Sequence, residues 1–276
     1  MSRKSSFLVF AVLLPAMGMS CSKTETPSEK AFKVYERGTA AVNARDYDTG
    51  IAELTEFIRL DPNSHAIDTA YNVRGVAYNR KGEYDKAIPD FTEAIRHDPK
   101  YMEAYNNRGE SYAMKGDHEK AILDFTEAIN IHPEHPDAYV SRSHSYVEQG
   151  APDKAITDAN EAIRLDRLPP IRLAAAHNNR GRAYAAKGDY DKAMLDFNES
   201  ISRDPNDAGY YNNRGFVHLR RKDYDKAIAD YTEAIRRDTK GHPLFYMNRA
   251  EAYRASGQEE KAARDQKKAG EVMMKK

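Results

Sequence analysis

The chain lacks most of the features that mark small-molecule chemistry. It has one cysteine, Cys21, in 276 residues, so no disulfide can form within it. Its 43 basic residues are cancelled by 43 acidic ones, which removes the electrostatic footprint that a nucleic-acid partner requires. No apolar run is long enough to span a membrane, the short one near the N-terminus included. There is no glycine-rich phosphate loop, no His-Glu-x-x-His and no nucleophile elbow. The sequence therefore predicts a protein that is not an enzyme and carries no cofactor. His132 and His135 stand three apart with Glu134 and Asp137 nearby, but each precedes a proline (Pro133, Pro136) in an expected turn. They read as solvated turn residues, and no metal site is expected.

What is present is a period. Small residues recur at Gly38, Gly75, Gly109, Ser143, Gly181, Gly215 and Ala250, spaced by 37, 34, 34, 38, 34 and 35 residues. Each is followed by a second small position (Gly50, Ala87, Ala121, Ala155, Ala193, Ala227, Ala262). A bulky position comes next (Leu54, Phe91, Phe125, Tyr231 and Phe197, with Ala159 and Gln266 as exceptions), and then a third small one (Ala94, Ala128, Ala162, Ser200, Ala234, Ala269). Pro62, Pro99, Pro133 and Pro205 close four of the units. Such a period means stacked supersecondary units, none able to bury its apolar face alone.

The pattern closely resembles the tetratricopeptide repeat, a 34-residue helix–turn–helix unit. Numbered within each unit, the first helix carries an aromatic at 4, a small residue at 8 and tyrosine at 11, with glycine at 15. The second helix carries alanine at 20, an aromatic at 24 and alanine at 27. The resemblance implies an all-α, right-handed superhelical solenoid of seven units, at about 31–64, 68–101, 102–135, 136–169, 174–207, 208–241 and 243–276. Residue chemistry agrees with this reading. Tyr105, Gly109, Tyr112 and Ala113 form one helical stripe. Gly116 suits a left-handed C-cap. Asp46, Glu83, Asp117, Asp189 and Asp223 suit the start of each second helix, and Pro152 suits a first helical position. Pro89 falls inside a second helix, where it removes one hydrogen bond and is expected to bend it. The extra residues at Asn63–Ile67 and Arg167–Arg172 should lengthen a loop or helix end and disturb the regular stacking. The second is expected to widen or tilt the path after unit four. Gly50 and Ala41 in unit one, with Gln266 and the lysines of the last helix, look like capping departures. Met273 and Met274 read as the apolar side of the final helix.

The first twenty residues stand apart. Arg3 and Lys4 precede an apolar run from Phe7 to Met19, too short to span a membrane and fit for a signal-peptide core. Cys21 follows directly. This arrangement resembles the bacterial lipoprotein signal, which implies that Cys21 is lipidated and becomes the mature N-terminus. The other reading is an ordinary secretory signal with an incidental cysteine. Residues 22–30 are polar and without periodicity, so 21–30 is expected to form the lipidated cysteine and a flexible tether reaching at most about 30 Å.

Two rows of residues bear on function. Position 7 is arginine in every unit (Arg37, Arg74, Arg108, Arg142, Arg180, Arg214, Arg249) and position 23 is acidic in every unit (Glu53, Asp90, Asp124, Asp158, Asp196, Asp230, Asp265). The rows could be a ladder for an anionic ligand, or structural ion pairs; the second reading is favoured because each arginine comes with its own acid. Asparagine, a poor helix former, fills much of positions 5 and 6: Asn72, Asn106, Asn107, Asn178, Asn179, Asn212, Asn213 and Asn248. In the resembling family first helices line the concave groove, and asparagines at 6 in some long superhelices clamp an extended peptide backbone. The alternative is that the amides bond neighbouring helices. The family's carboxylate clamp does not carry over, because position 9 holds Thr39, Val76, Glu110, His144, Arg182, Phe216 and Glu251 where asparagine is wanted.

Taken with the resemblances, the expectation is an interaction scaffold anchored by lipid in the bacterial envelope. It would sit at the outer membrane facing the periplasm and hold an extended protein segment against the asparagines and Arg182. Lipoproteins of the resembling class act as adaptors for cell-wall enzymes, pilus assembly or outer-membrane protein insertion. The alternatives are a secreted periplasmic assembly chaperone without lipid, and a self-associating array. The polar final helix argues against the last.

Overall fold

The computed structural model describes residues 26–274. The expected signal segment and Cys21 lie outside the described residues. Fourteen α-helices follow in order: α1 Pro27–Asn43, α2 Tyr47–Leu60, α3 Ile67–Arg80, α4 Tyr84–His97, α5 Met102–Met114, α6 His118–Ile131, α7 Pro136–Glu148, α8 Pro152–Leu165, α9 Pro170–Ala186, α10 Tyr190–Arg203, α11 Ala208–Arg220, α12 Tyr224–Arg237, α13 Pro243–Ala255 and α14 Glu259–Met273. Among the described residues there is no strand. No described helix is long and apolar enough to cross a membrane. Each odd-numbered helix packs on the even one after it, and each even one on the first helix of the next unit. These are the seven pairs that the period requires.

The turns between paired helices follow from their residues. Gly82, Gly116, Gly150, Gly188 and Gly257 take positive φ at position 15, and Arg45 and Lys222 adopt the same conformation where glycine is missing. Asp46, Asp117 and Asp189 then accept from the backbone N–H three residues on, starting the second helix. Glu83 and Asp223 occupy that place without a side-chain cap bond. Helix α4 runs through Pro89 without interruption, and Pro89 lies on the exposed side.

Within each pair, the small residue at 8 exists to admit the bulky one at 24. A Cβ on Gly75 would stand 2.7 Å from Phe91 Cε1, and one on Gly109 2.7 Å from Phe125 Cε1. Gly181 and Gly215 are equally close to Phe197 and Tyr231, at 2.8 and 2.9 Å. Real Cβ atoms do not approach so closely, so the rings are seated where a side chain would otherwise be. Unit four makes the opposite choice, with Ser143 and Ala159 both fully buried.

Three expectations need correction. The tether expected over residues 21–30 does not extend through 27–30, because α1 begins at Pro27. Thr26 and Glu29 form a reciprocal capping box, Glu29 N–H donating to Thr26 Oγ1 at 3.2 Å and Thr26 N–H to Glu29 Oε2 at 2.8 Å. The joint after unit four is closer rather than wider. Its extra residues extend α9 back to Pro170, and α9 packs on α7 far more extensively than other successive first helices pack on one another. Arg172 fastens the extension, donating from Nε to Asp137 Oδ1 at 2.6 Å and from Nη2 to the Asp137 carbonyl and Ser141 Oγ, each at 3.2 Å. Finally, Met273 and Met274 are exposed rather than packed, and Met273 lines an open recess of about 640 Å³ with Met247 and Asn248.

Candidate functional site: the first-helix surface

Successive first helices touch one another along the array, whereas no two second helices do. Helices that meet on one side only must lie on the inside of a curved stack. The first helices therefore line the inner surface, and positions 5, 6 and 9 can be located on it.

The arginine row turns out to be structural. In all seven units the guanidinium meets both oxygens of its own acid. In the third unit Arg108 Nε donates to Asp124 Oδ2 at 2.8 Å and Nη2 to Oδ1 at 2.7 Å. The same fork joins Arg37–Glu53, Arg74–Asp90, Arg142–Asp158, Arg180–Asp196, Arg214–Asp230 and Arg249–Asp265. The remaining Nη1 reaches back to the second helix of the unit before. It donates to Thr55, Thr92, Thr126 and Thr232 Oγ1 from Arg74, Arg108, Arg142 and Arg249, and to Asn160 and Asn198 Oδ1 from Arg180 and Arg214. One side chain thus locks three helices, and its fixed fork suits the task better than lysine would. The first helix of unit five has His177 where units two, three, four, six and seven have tyrosine, and its Nδ1 lies 3.0 Å from Asp196 Oδ1. Burial pushes Asp196 up, but His177 and Arg180 outweigh it and hold the carboxyl below the ordinary aspartate value.

The asparagines link the first helices. Asn107 donates to Asn72 Oδ1 at 3.0 Å, Asn213 to Asn178 Oδ1 at 2.9 Å and Asn248 to Asn212 Oδ1 at 2.7 Å. Each bond joins position 6 of one unit to position 5 of the unit before. Asn72 in turn donates to the Tyr101 hydroxyl at 3.2 Å. Asn179 is a strut of a different kind. It is buried, and its amide donates to the Val140 carbonyl at 3.1 Å and Ser143 Oγ at 2.9 Å. Asn106 donates only to Glu110 Oε1, at 3.4 Å, and its own Oδ1 is buried without a partner.

This bonding leaves capacity toward the groove. Oδ1 of Asn213 and Asn248 has no partner among the described residues, and both side chains line open recesses. Asn178 and Asn212 accept but donate to nothing among the described residues. One amide pair can therefore still offer a donor and an acceptor, which is what a peptide group needs.

Position 9 is what sequence reasoning missed. The sequence put only Arg182 of this position in the groove, yet position 9 furnishes the chemistry of two cavities. Glu110 and His144 line one of about 270 Å³, with Val140, Ala175 and Met114 as apolar walls. Arg182 and Phe216 line a second of about 620 Å³, together with Asn213, Tyr190 and Arg220. Arg182 is itself paired, donating from Nη2 to Glu148 Oε1 at 2.8 Å. The signal lay in the chain's own repetition. Positions 7, 8, 20 and 23 barely change from unit to unit, while position 9 takes seven residues of six kinds. His132 and His135, by contrast, sit edge to face in their turn with ring centroids 6.0 Å apart. Among the described residues no group of three or more histidine, cysteine or acidic side chains is placed to hold a metal ion.

Models of the tetratricopeptide repeat match residues 35–95, 72–139, 136–167, 174–207 and 208–239. No curated protein matches the chain significantly in sequence. Solved structures share the fold at low identity. A tetratricopeptide repeat protein from Parabacteroides merdae superimposes with a TM-score of 0.72 at 22% identity, covering 88% of this chain and 93% of that one. PilW, described as a widely conserved type IV pilus biogenesis factor, gives 0.67 at 17%, covering 73% and 91%. A Thermus thermophilus tetratricopeptide repeat protein gives 0.56 at 21%, covering 67% and 98%. The matched segments coincide with the helix pairs, and the small-residue and aromatic positions that define the family are those that seat ring against backbone here: the chain belongs to the tetratricopeptide repeat family.

Proposed function

We propose that the chain is a non-catalytic scaffold that holds an extended segment of another protein against the inner surface of its first helices. The observation that carries this reading is the donor and acceptor capacity that the bonded amide pairs Asn178–Asn213 and Asn212–Asn248 leave over, repeated at the pitch of the units. Side-chain amides recognise a backbone whatever its sequence. The varied residues at position 9 then select among side chains. Asn72, Asn106 and Asn107 extend the row toward the N-terminal units, and Asn179 supports it from beneath.

The test is binding of a captured partner segment by the Asn213→Ala/Asn248→Ala variant. Loss of two amides worth about 0.5–1.5 kcal/mol each should weaken binding about tenfold. Helix content should not fall, since alanine is the better helix former. A folded variant with undiminished affinity would place the partner elsewhere on the array.

The same reading assigns the scaffold to the envelope, lipid-anchored through Cys21 at the outer membrane and facing the periplasm. What supports it is the apolar run that ends at the single cysteine, followed by a polar segment up to the cap at Thr26. Cys21→Ala should move nearly all of the protein from the membrane to the soluble fraction, because one acylated residue carries the whole anchor. Sedimentation of that variant with membranes after a salt wash would sink the lipid assignment and leave the groove reading untouched.

A further inference from the structure

We infer that the cavity between α5, α7 and α9 receives a lysine or arginine side chain of the bound segment, with Glu110 as the residue that recognises its charge. This rests on the groove reading above and names what one part of that groove selects. The cavity measures about 270 Å³, at the small end of ligand sites and suited to one side chain rather than a helix. Its walls are mainly apolar, from Val140, Ala175 and Met114, which suits the methylene stem of a long basic side chain.

Charge decides the head group. Two charged residues line the cavity, Arg172 and Glu110. Arg172 is already neutralised by Asp137 at 2.6 Å. Glu110 has no ion pair among the described residues, only the 3.4 Å contact from Asn106. Burial and the nearby Arg182 push His144 down, toward its neutral form. Burial likewise pushes the Glu110 carboxyl above the ordinary glutamate range, against the pull of Arg172 and Asn106. The free array thus holds a partly desolvated carboxyl that no ion pair among the described residues neutralises, and that Arg172, Asn106 and Arg80 offset only in part. An aliphatic guest would seal that carboxylate from water without a partner, which is costly. A cationic guest would cover the walls and satisfy the charge together. Unit four's irregularity shapes the pocket, since the extension of α9 places Arg172, bonded to Asp137 of α7, on its wall.

The measurement uses the full chain in detergent and four pools of eleven-residue peptides, random over uncharged residues, with lysine, arginine, norleucine or glutamate fixed at the centre. The lysine and arginine pools should bind about tenfold or more tightly than the norleucine pool, which has the same stem without the charge. Glu110→Gln should abolish that preference. The same variant should melt about 2–4 °C higher, because it removes a partly buried charge that lacks an ion pair; a merely structural glutamate would lower the melting temperature on removal. Equal binding of all four pools, or a lysine preference that survives Glu110→Gln, overturns the assignment while leaving the groove reading intact. Absence of binding by any pool overturns both.

Discussion

Arg108→Ala should lower the unfolding free energy by about 3–5 kcal/mol, the range expected when one member of a buried ion pair is left without the other. Asp124→Ala should cost less. The Asp124 side chain is 7% exposed and Arg108 18%, so an abandoned carboxylate stays buried, whereas an abandoned arginine can swing its head to water. The two losses should not add. The double variant is expected to fall short of the sum by about 1–3 kcal/mol, because most of each single loss is the stranded charge rather than the pair's net worth. Acidity gives a further check. Burial already raises the Asp124 carboxyl above the ordinary aspartate value despite Arg108, and without Arg108 it must rise further. A carboxyl whose folded pKa exceeds its unfolded one costs stability above the folded value and nothing below the unfolded value, near 3.9. The Arg108→Ala deficit should therefore shrink as pH falls from neutrality toward about 4. Urea denaturation of the three variants at two pH values measures all of this. Additive losses, or a selective loss of partner binding at a temperature where the variant stays folded, would return the arginine row to the ligand-binding reading.

How much of this was legible in the sequence depends on whether a feature is local or shared between units. The helix pairs, their left-handed turns and the one-to-one match of arginine and acid follow from residues at fixed offsets inside a unit. What joins one unit to the next was harder to read. The offset from Arg108 to Asp124 repeats, but nothing in the pattern says that its third nitrogen closes on Thr92 of the preceding second helix. The asparagines posed two alternatives, a peptide clamp or bonds between helices. The geometry shows the bonds made, with part of each amide pair left over. The extra residues Arg167–Arg172 read as a disturbance of the stacking, yet proline suits the first helical position, and with Pro170 there α9 simply begins early. Thr26 and Glu29 carried a capping box that the polar composition around them obscured.

Unit four offers the second large effect, because it already shows how the array does without a ring. Phe91 is fully buried, and Phe91→Ala should cost about 3–5 kcal/mol through lost burial and the cavity left behind. Gly75→Ser in the wild-type background should also destabilise, by about 1–3 kcal/mol, since its Cβ would stand 2.7 Å from Phe91 Cε1 in a full core. In the Phe91→Ala background the sign should reverse. The serine would then occupy vacated space, replace a helix-interior glycine and bond its hydroxyl to its own helix, as Ser143 Oγ does to the Val140 carbonyl at 2.9 Å. Ser143 opposite Ala159 is that double replacement made in this chain. The double variant should accordingly be more stable than Phe91→Ala alone by about 0.5–1 kcal/mol, read from the shift in urea midpoint. If Gly75→Ser destabilises equally in both backgrounds, the ring at position 24 is not what holds position 8 to glycine, and the closeness of the two helices must be set by their backbones.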